Sequence, residues 1–508
     1  MSERYFLTTA IDYVNGRPHL GHAYEKILAD VLNRYHLSLG QDSFFLTGLD
    51  EHGQKVQQSA QAQNIPPQQF CDEMAVHFQT LWKRLHIHPN RFVRTTENNH
   101  KEVVRKFLQK LHDQGEIYFK EHEGLYSVRQ EQFVTEKEMV NGQWPEIFGE
   151  VVKTVEPNYF FKLSSYQDWL RTYLQEHPEW IMPSFRRNEI LAALERPLGD
   201  LCISRPKSRL SWGIPLPFDE EYVTYVWFDA LINYVSFAYY DTPEDRWPAD
   251  LHIIGKDILI PAHGVYWPII LRALGLTQPR QFLVHGWWLN RGAKISKSVG
   301  NTIDPIPYIE KCGADAFRYF LMREMALGQD ADFTDDKFIQ RYQSDLSKGL
   351  GNLVQRSLSM LHRYRQGIVP PIHESCLTDL EKDLQTENVT TNYQSFMDKF
   401  EIHHALGAVW TYIQRTDQYV EQTAPWKLAK DPAQSTRLDT VLGHLIESIR
   451  RISVLIDAVL PQTSLQIRAQ LGLATEPLRL SAASFGNTLT GQVTLAPTAL
   501  FPRIEELD

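Results

Sequence analysis

The chain has 508 residues, enough for about three domains of ordinary size. Its hydrophobic content of 43% and charged content of 22% are typical of globular proteins and exclude a mainly disordered or fibrous chain. The net charge of −10 excludes a broadly basic nucleic-acid coat, although it is compatible with a local basic groove that binds RNA. The 4 cysteines lie far apart, so we expect neither a disulfide framework nor a cysteine-based zinc knuckle.

The sequence carries no targeting or membrane signal that we recognise. No stretch approaches the roughly 20 apolar residues that span a bilayer. The N-terminus shows neither an apolar signal core nor an Arg-rich and Ser-rich transit helix. We therefore expect a soluble, cytoplasmic protein with no membrane partner.

Apolar runs of strand length alternate with helical patterns in the N-terminal two thirds of the chain. The predicted elements are, in order, a buried strand at Tyr5–Thr9, a helix at Ala23–Leu37, and strands at Ser43–Leu49, Leu251–Ile254 and Phe282–His285. This alternation predicts an α/β, Rossmann-like domain with a parallel sheet and right-handed crossovers. Residues 117–161 break the pattern with short strand-like pieces, and we interpret them as an insertion that splits the α/β domain.

After about Phe338 the pattern is helical only. Three amphipathic faces follow one another, around Leu350, around Val409 and around Ile449, and the last one stops at Pro461. This predicts an all-α helical bundle. The expected domains are residues 1–115 and 186–338 for the two halves of the α/β domain, 116–185 for the insertion, and 339–508 for the bundle and tail.

A first candidate site follows the first predicted strand, in residues 13–22 (YVNGRPHLGH). This position is the carboxyl edge of a parallel sheet, where such folds bind nucleotides and where a helix N-terminus attracts phosphate. His19 and His22 lie three residues apart and can point the same way, and Gly21 lets a flat base approach the backbone. The alternative is a pair of surface histidines near a helix cap.

A second candidate site is the cationic loop of residues 291–301 (RGAKISKSVGN). Lys294 and Lys297, three residues apart and flanked by glycines, could close over a triphosphate and stabilise the departing pyrophosphate. Taken alone, the segment could equally be a solvated basic turn.

Together, the two segments resemble the paired signatures of class I aminoacyl-tRNA synthetases. The His-Leu-Gly-His segment matches the first signature, and Lys-Ile-Ser-Lys-Ser matches the second with Ile295 in place of Met. Nucleotidyltransferases share versions of both signatures, so the pair alone specifies chemistry at the α-phosphate of ATP.

Further segments resemble methionyl-tRNA synthetases. They are AIDY from Ala10, TGLDEHG from Thr47, ISRPK from Ile203, YVWFDA from Tyr225, IGKDI from Ile254, GNL from Gly351 and APW from Ala424. The resemblance covers Tyr5 to Pro461. It implies an enzyme that activates methionine with ATP and transfers it to tRNA(Met), with Mg²⁺ arriving as part of the ATP substrate.

The resemblance also implies the residues of each site. The methionine site comprises Ile11, Tyr13, Asp50, Trp227, Ala230, Leu231, Tyr234 and His263, with Asp50 pairing with the substrate ammonium group. An aromatic, close-fitting pocket suits methionine, although aromatic residues at helical spacing usually belong to a core. The ATP site comprises His19, His22, Glu25, Gly255, Asp257, Lys294 and Lys297, and Arg205 is expected to reach the phosphates or the methionine carboxylate. The alternatives are a helix cap for Asp257, a solvated first-turn acid for Glu25 and a surface salt bridge for Arg205.

The helical bundle is expected to read the anticodon. Asn352 and Arg356 lie four residues apart on one helical face and can hydrogen-bond base edges, and Trp426 offers a surface for an unstacked base. As an alternative, Trp426 could be a buried staple between helices.

The sequence departs from the family in three places. Where many members carry Cys-x-x-Cys zinc knuckles, this chain has YSVRQ from Tyr126 and QWP from Gln143, so we expect no zinc, with Trp144 and Phe148 packing in its place. Asp12 stands where the family more often has Pro or Tyr. One extra residue precedes His263, which makes its place in the methionine site less secure than that of Trp227.

The chain stops after the bundle, so we expect a monomer. Three other functions can be compared with this one. A synthetase for leucine, isoleucine or valine would need a far longer editing insertion, and a catalytically silent tRNA-binding relative would have no reason to keep both phosphate motifs. A free-standing nucleotidyltransferase would not need the bundle that carries Trp426.

Overall fold

The structure is a computed structural model. It describes residues 3–127, 132–134, 139, 142–145, 148–240, 246–295, 300–474, 478–486 and 489–504.

Seven parallel strands in the described part of the chain form the central sheet. They are β1 (Arg4–Thr9), β2 (Asp12–Tyr13), β3 (Asp42–Asp50), β4 (Arg91–Arg94), β8 (Ile181–Met182), β12 (Leu251–Gly255) and β13 (Phe282–His285). The order across the sheet is β2-β3-β1-β12-β13-β8, with β4 also paired to β3. The prediction of a Rossmann-like parallel sheet is confirmed.

Helices cover both faces of this sheet. They are α1 (Leu20–Leu39), α2 (Gln54–Ala62), α3 (Pro67–Arg84), α4 (Asn98–Asp113), α7 (Val226–Tyr240) and α8 (Trp267–Leu274), the last preceded by a π-helical segment at Leu259–Tyr266. Alternate strand residues join different cores, since Leu283 packs with α1 and α3 while Phe282 and Val284 pack with α4 and α7. Burial on both faces explains why these strands read as continuous apolar runs.

The insertion forms an antiparallel sheet of its own. Its strands are β5 (Ile117–Ser127), β6 (Gln132–Val134), β7 (Val151–Phe161) and β9 (Leu201–Cys202), in the order β6-β5-β7-β9. The elements α5 (Gln167–Glu176) and α6 (Ser184–Ala193) and the hairpin of β10 (Ser204–Pro206) with β11 (Tyr222–Thr224) follow β7. The chain enters the parallel sheet at β8 and then returns to the insertion at β9. The boundary expected at residue 186 therefore lies inside a segment that alternates between the two sheets.

A small sheet connects the α/β domain to the bundle. It contains β14 (Trp288–Asn290), β15 (Ala293–Lys294) and β16 (Ala331–Phe333). The helices α9 (Ile306–Cys312), α10 (Ala314–Glu324) and α11 (Asp335–Arg341) lie around it.

From residue 342 to residue 470 the elements are helical, as predicted. After a π-helical segment at Tyr342–Gly351 come α12 (Asn352–Arg365), α13 (Asp379–Thr386), α14 (Val389–Met397), α15 (Ile402–Thr423), α16 (Pro425–Leu428), α17 (Ser435–Ile456) and α18 (Pro461–Gln470). The sequence pattern around Ile449 predicts one buried face, but α17 is buried on nearly all sides, including Glu447 and Arg450, which pair with each other at 2.7 Å. Among the described residues, no helix has the length and apolar character to cross a membrane.

Candidate active site

The first motif forms the N-terminus of α1. His19 is the helix cap, and its Nδ1 accepts a hydrogen bond from the Gly21 amide at 3.1 Å. The Nδ1 of His22 accepts one from the His19 amide at 3.1 Å, which completes a capping box. Because each Nδ1 is an acceptor, the proton of each neutral imidazole lies on Nε2. The two rings, 4.0 Å apart between centroids, therefore offer two N–H donors at the positive end of a helix.

A cavity of about 480 Å³ opens beside these two histidines, at the carboxyl ends of the central strands. Residues from the first motif, from α7, from the ends of β12 and β13 and from the second motif line it. Of the predicted site residues, His19, His22, Glu25, Gly255, Asp257, Lys294, Ile11, Tyr13, Asp50, Trp227, Ala230, Leu231, Tyr234 and His263 all lie in this lining.

One side of the cavity is largely apolar and aromatic. Trp227, Ala230, Leu231 and Tyr234 project from α7 at helical steps, and Ile11 also lines the cavity. The Tyr234 hydroxyl lies 2.8 Å from His263 Nε2, and His263 Nδ1 lies 3.0 Å from the Ile258 carbonyl. A carbonyl only accepts, so Nδ1 carries the proton, and Tyr234 donates to Nε2. Burial lowers the pKa of His263 to about 4, which keeps the ring in this neutral form.

Asp50 lies where the aromatic side meets the first motif. The register of β2 against β3 sets Tyr13 opposite Asp50, and Asp50 is only 8% exposed. Lys55 lies over the Tyr13 ring at 5.6 Å. A buried carboxylate in the cavity lining, close to an apolar pocket, suits the ammonium group of an amino acid.

The other side of the cavity is polar. Glu25 contacts His285 Nε2 at 3.1 Å and Lys26 at 2.7 Å. A Cβ at Gly255 would lie 2.6 Å from Asp257 Oδ1, so a side chain at this position would displace the Asp257 carboxylate. Lys294 reaches the cavity from the second motif, with its ammonium group 3.7 Å from the centre of the Trp287 ring.

One described residue of the prediction, Arg205, does not line this cavity. Arg205 is 3% exposed and lines a separate small cavity with Tyr225 and Arg209, and its Nη1 donates to the Ser204 carbonyl at 2.6 Å. The exposed salt bridge considered as an alternative for Arg205 is therefore wrong, because this arginine is buried. Lys297 lies outside the described residues.

The predicted anticodon residues lie at one end of the bundle. Arg356 forms ion pairs with Asp417 at 3.3 Å and Glu421 at 2.5 Å, near the end of α15 that leads into α16. Asn352 is exposed and Trp426, on α16, is half-buried against the core. Trp426 thus has a face available beyond its packing contacts.

Several cavity residues escaped the sequence prediction. They are Lys55, Asn233, His285, Trp287 and Trp288, which line the cavity, and Lys26, which lies behind it. For His285 a signal existed, because it ends a buried strand at the carboxyl edge of the sheet. Lys26 gave none, since a lysine in a helical pattern is usually solvated.

Among the described residues, no group of three or more His, Cys, Asp or Glu side chains is placed so that it could hold a metal ion. In the predicted knuckle region, residues 128–131 and 146–147 lie outside the description. Trp144 and Phe148 are described and pack edge to face, 5.7 Å between ring centroids. Ser127, the last residue of β5, donates to the Phe148 carbonyl at 2.6 Å.

Comparison with known proteins agrees with this geometry. The family model for class I tRNA synthetases (M) matches residues 5–156 and 147–358, and that for the anticodon binding domain of methionyl tRNA ligase matches residues 373–508. The methionine–tRNA ligases of Deinococcus radiodurans and Clostridium perfringens are 42% and 41% identical over 99% of this chain, covering 74% and 78% of their own lengths. The chain belongs to the methionyl-tRNA synthetase family.

A solved methionyl-tRNA synthetase has the same fold throughout. The Mycobacterium tuberculosis enzyme in complex with methionyl-adenylate matches with a TM-score of 0.93 and 39% identity, over 99% of this chain and 100% of that one. As a member of the methionyl-tRNA synthetase family, the chain is a ligase that activates methionine with ATP and transfers it to the 3′ end of tRNA(Met). The resemblance stated from the sequence is confirmed.

Proposed function

We propose that the two motifs and α7 together form the centre where methionyl-adenylate is made. The observation that supports this most strongly is the convergence of His19, His22 and Lys294 on one cavity whose other side is apolar and aromatic. Methionine binds on the aromatic side, between Tyr13, Trp227 and Tyr234, and its ammonium group pairs with Asp50. ATP binds on the polar side, with its ribose and adenine near Glu25, Gly255 and Asp257.

The first step needs no side-chain base, because the methionine carboxylate is already an anion. One carboxylate oxygen attacks the α-phosphorus of ATP, and the bond from that phosphorus to the bridging oxygen of the β-phosphate breaks. The Nε2–H groups of His19 and His22 stabilise the charge that grows on the α-phosphate. Lys294 and Lys297 stabilise the pyrophosphate that leaves, with Mg²⁺ entering as the ATP complex.

In the second step, a ribose hydroxyl at the 3′ end of tRNA(Met) attacks the carbonyl carbon of the adenylate, and AMP leaves. Asn352, Arg356 and Trp426 read the anticodon in the bundle. We propose that the enzyme acts as a monomer, in the cytoplasm where its tRNA and ATP are found. Light scattering at micromolar protein should give the mass of one 59.0 kDa chain, and twice that mass would contradict it.

The roles of the motif residues can be tested by methionine-dependent exchange of pyrophosphate into ATP. His22→Ala and Lys294→Ala should each lower kcat by about 10²–10³-fold, since each removes a group that binds charge developing in the transition state. The KM for methionine should change by less than about threefold. His177→Ala and Lys337→Ala, which change exposed residues outside the cavity, are the matched controls. Wild-type kcat in either cavity variant would refute the assigned role.

A further inference from the structure

Lys26 is buried behind the cavity at the centre of a charged cluster. The residue is fully buried, and its ammonium group lies 2.7 Å from Asp12 Oδ1, 2.7 Å from Glu25 Oε1 and 3.0 Å from the Ala10 carbonyl. Asp12 is one of the three places at which the sequence departs from the family pattern. In the structure, that carboxylate is the partner of a lysine on α1.

The cluster forms part of the cavity wall. Asp12, Glu25 and His285 all line the cavity, while Lys26 does not. Glu25 is linked to His285 on β13 through its second oxygen, so the contacts extend from β2 through α1 to β13, four places away from β2 in the sheet. Any change in the position of the lysine would be transmitted to two carboxylates that line the cavity.

The charges in this cluster depend on one another. Burial by itself would lower the pKa of Lys26, but the charges of Asp12 and Glu25 outweigh burial and raise that pKa. Burial likewise opposes ionisation of Glu25, yet the charge of Lys26 and the contact with His285 lower the pKa of this carboxyl. Without the lysine, two carboxylates would lie next to the binding place of a polyanion.

We propose that Lys26 is a positioning residue for ATP: it holds the Asp12 and Glu25 carboxylates in place and balances their charge, so that the phosphates can bind beside them. This inference rests on the proposed placing of ATP on the polar side of the cavity. Lys26 itself does not touch the substrate. It acts through Glu25 and Asp12, and Asp12 explains why a lysine is tolerated here without contact with water.

The test is the KM for ATP in Lys26→Met, measured by methionine-dependent pyrophosphate exchange at pH 6 and pH 8. At pH 8 the KM should rise by about tenfold, because the unbalanced carboxylates repel the triphosphate. At pH 6 the rise should be smaller, because burial raises the pKa of carboxyl groups that have lost their cation. Other groups that act on Glu25 are His285, Tyr24, Tyr234 and His263, and all are retained in the variant. A lysine that only supports the fold would change kcat or the melting temperature with no such dependence on pH.

A second substitution separates charge balance from packing. Lys26→Met with Asp12→Asn has the same net charge as the wild-type cluster, so the KM for ATP should recover by about threefold or more relative to Lys26→Met. A KM for ATP that rises further in the double variant than in Lys26→Met would overturn the proposal. If Lys26→Met does not fold, Lys26→Gln takes its place, since the amide can still donate to the Ala10 carbonyl.

Two controls complete the experiment. Glu447→Gln removes a buried charge in the bundle, far from the cavity, and should lower the melting temperature while the KM for ATP stays unchanged. Wild-type protein that shows no methionine-dependent exchange would refute the proposed site as a whole. Wild-type exchange together with a KM for ATP that is unaffected in Lys26→Met at both pH values would refute the role of Lys26 alone.

Discussion

His263 illustrates how burial determines the chemistry of a single side chain in the cavity. It is 2% exposed, and the Tyr234 hydroxyl and the Ile258 carbonyl occupy its two ring nitrogens. A protonated ring could not accept the hydrogen bond from Tyr234. The lowered pKa therefore preserves the contact that fixes the tyrosine at the aromatic end of the pocket.

The lowered pKa of His263 also makes the stability of the fold depend on pH. The pKa of His263 is about 4 in the folded state, below its usual value of 6.5, so the unfolded chain binds more protons between these values. Stability should therefore fall as the pH falls, by about 2 kcal/mol between pH 7 and pH 5 from this residue. Urea denaturation should show a smaller loss over this range for His263→Gln than for wild type. The exposed His177→Gln is the control, and equal losses in wild type and His263→Gln would contradict the buried neutral ring.

At the scale of elements, the two motif loops are predictable because their information is local. Each motif consists of a few neighbouring residues: a glycine and two histidines after a strand, and two lysines in a short loop. Both can be recognised without knowing how the strands are arranged in the sheet. The position of Arg205 is not local, since it depends on how β10 and β11 pack against Tyr225. The position of β8 is not determined locally either, because this strand joins the parallel sheet through only two residues, Ile181 and Met182.

The short helix α16, which contains Trp426, carries a prediction about tRNA. Trp426→Ala should raise the KM for tRNA(Met) by about tenfold or more, because stacking of one base contributes about 1–3 kcal/mol. Pyrophosphate exchange, which does not involve the anticodon, should stay at the wild-type rate. Leu380→Ala, an exposed apolar residue elsewhere in the bundle, serves as the control. An unchanged KM for tRNA would favour the staple between helices.

The insertion carries a prediction about metal. Purified protein should contain less than about 0.1 zinc per chain, because the knuckle positions lack thiolates. Trp144→Ala should lower the melting temperature, since the contact with Phe148 is part of the packing that we expect in place of the metal. Phe119→Ala, which changes an exposed residue on β5 of the insertion, is the control. Stoichiometric zinc, by elemental analysis, would show the prediction to be wrong.

At the scale of the whole molecule, Arg318 joins the catalytic domain to the bundle. It is fully buried, and its guanidinium contacts Asp30 on α1 at 2.7 Å, the Leu85 carbonyl after α3 at 3.1 Å and the Val459 carbonyl after α17 at 2.9 Å. The sequence predicts both domains but not this junction. A buried arginine is recognisable only once its partners, distant along the chain, are known to converge.

Arg318→Leu should therefore destabilise the protein and also uncouple the unfolding of the catalytic domain from that of the bundle. Removal of one partner of a buried ion pair costs about 3–5 kcal/mol, because Asp30 is left buried with one cation fewer. We expect a lower urea midpoint and two separate thermal transitions in place of one. Arg363→Leu, a residue of the last turn of α12, is the control. A single transition at the wild-type temperature would show that the junction is not held by this arginine.

The most direct measurement is pyrophosphate exchange with methionine, leucine, isoleucine, valine and cysteine in parallel, on the wild type and on Lys294→Ala. Exchange with methionine alone, largely lost in the variant, is the predicted result. It would establish that this cavity activates methionine through the second motif. Exchange with none of the five amino acids, or equal exchange in Lys294→Ala, would contradict the assignment of the cavity as the activating centre.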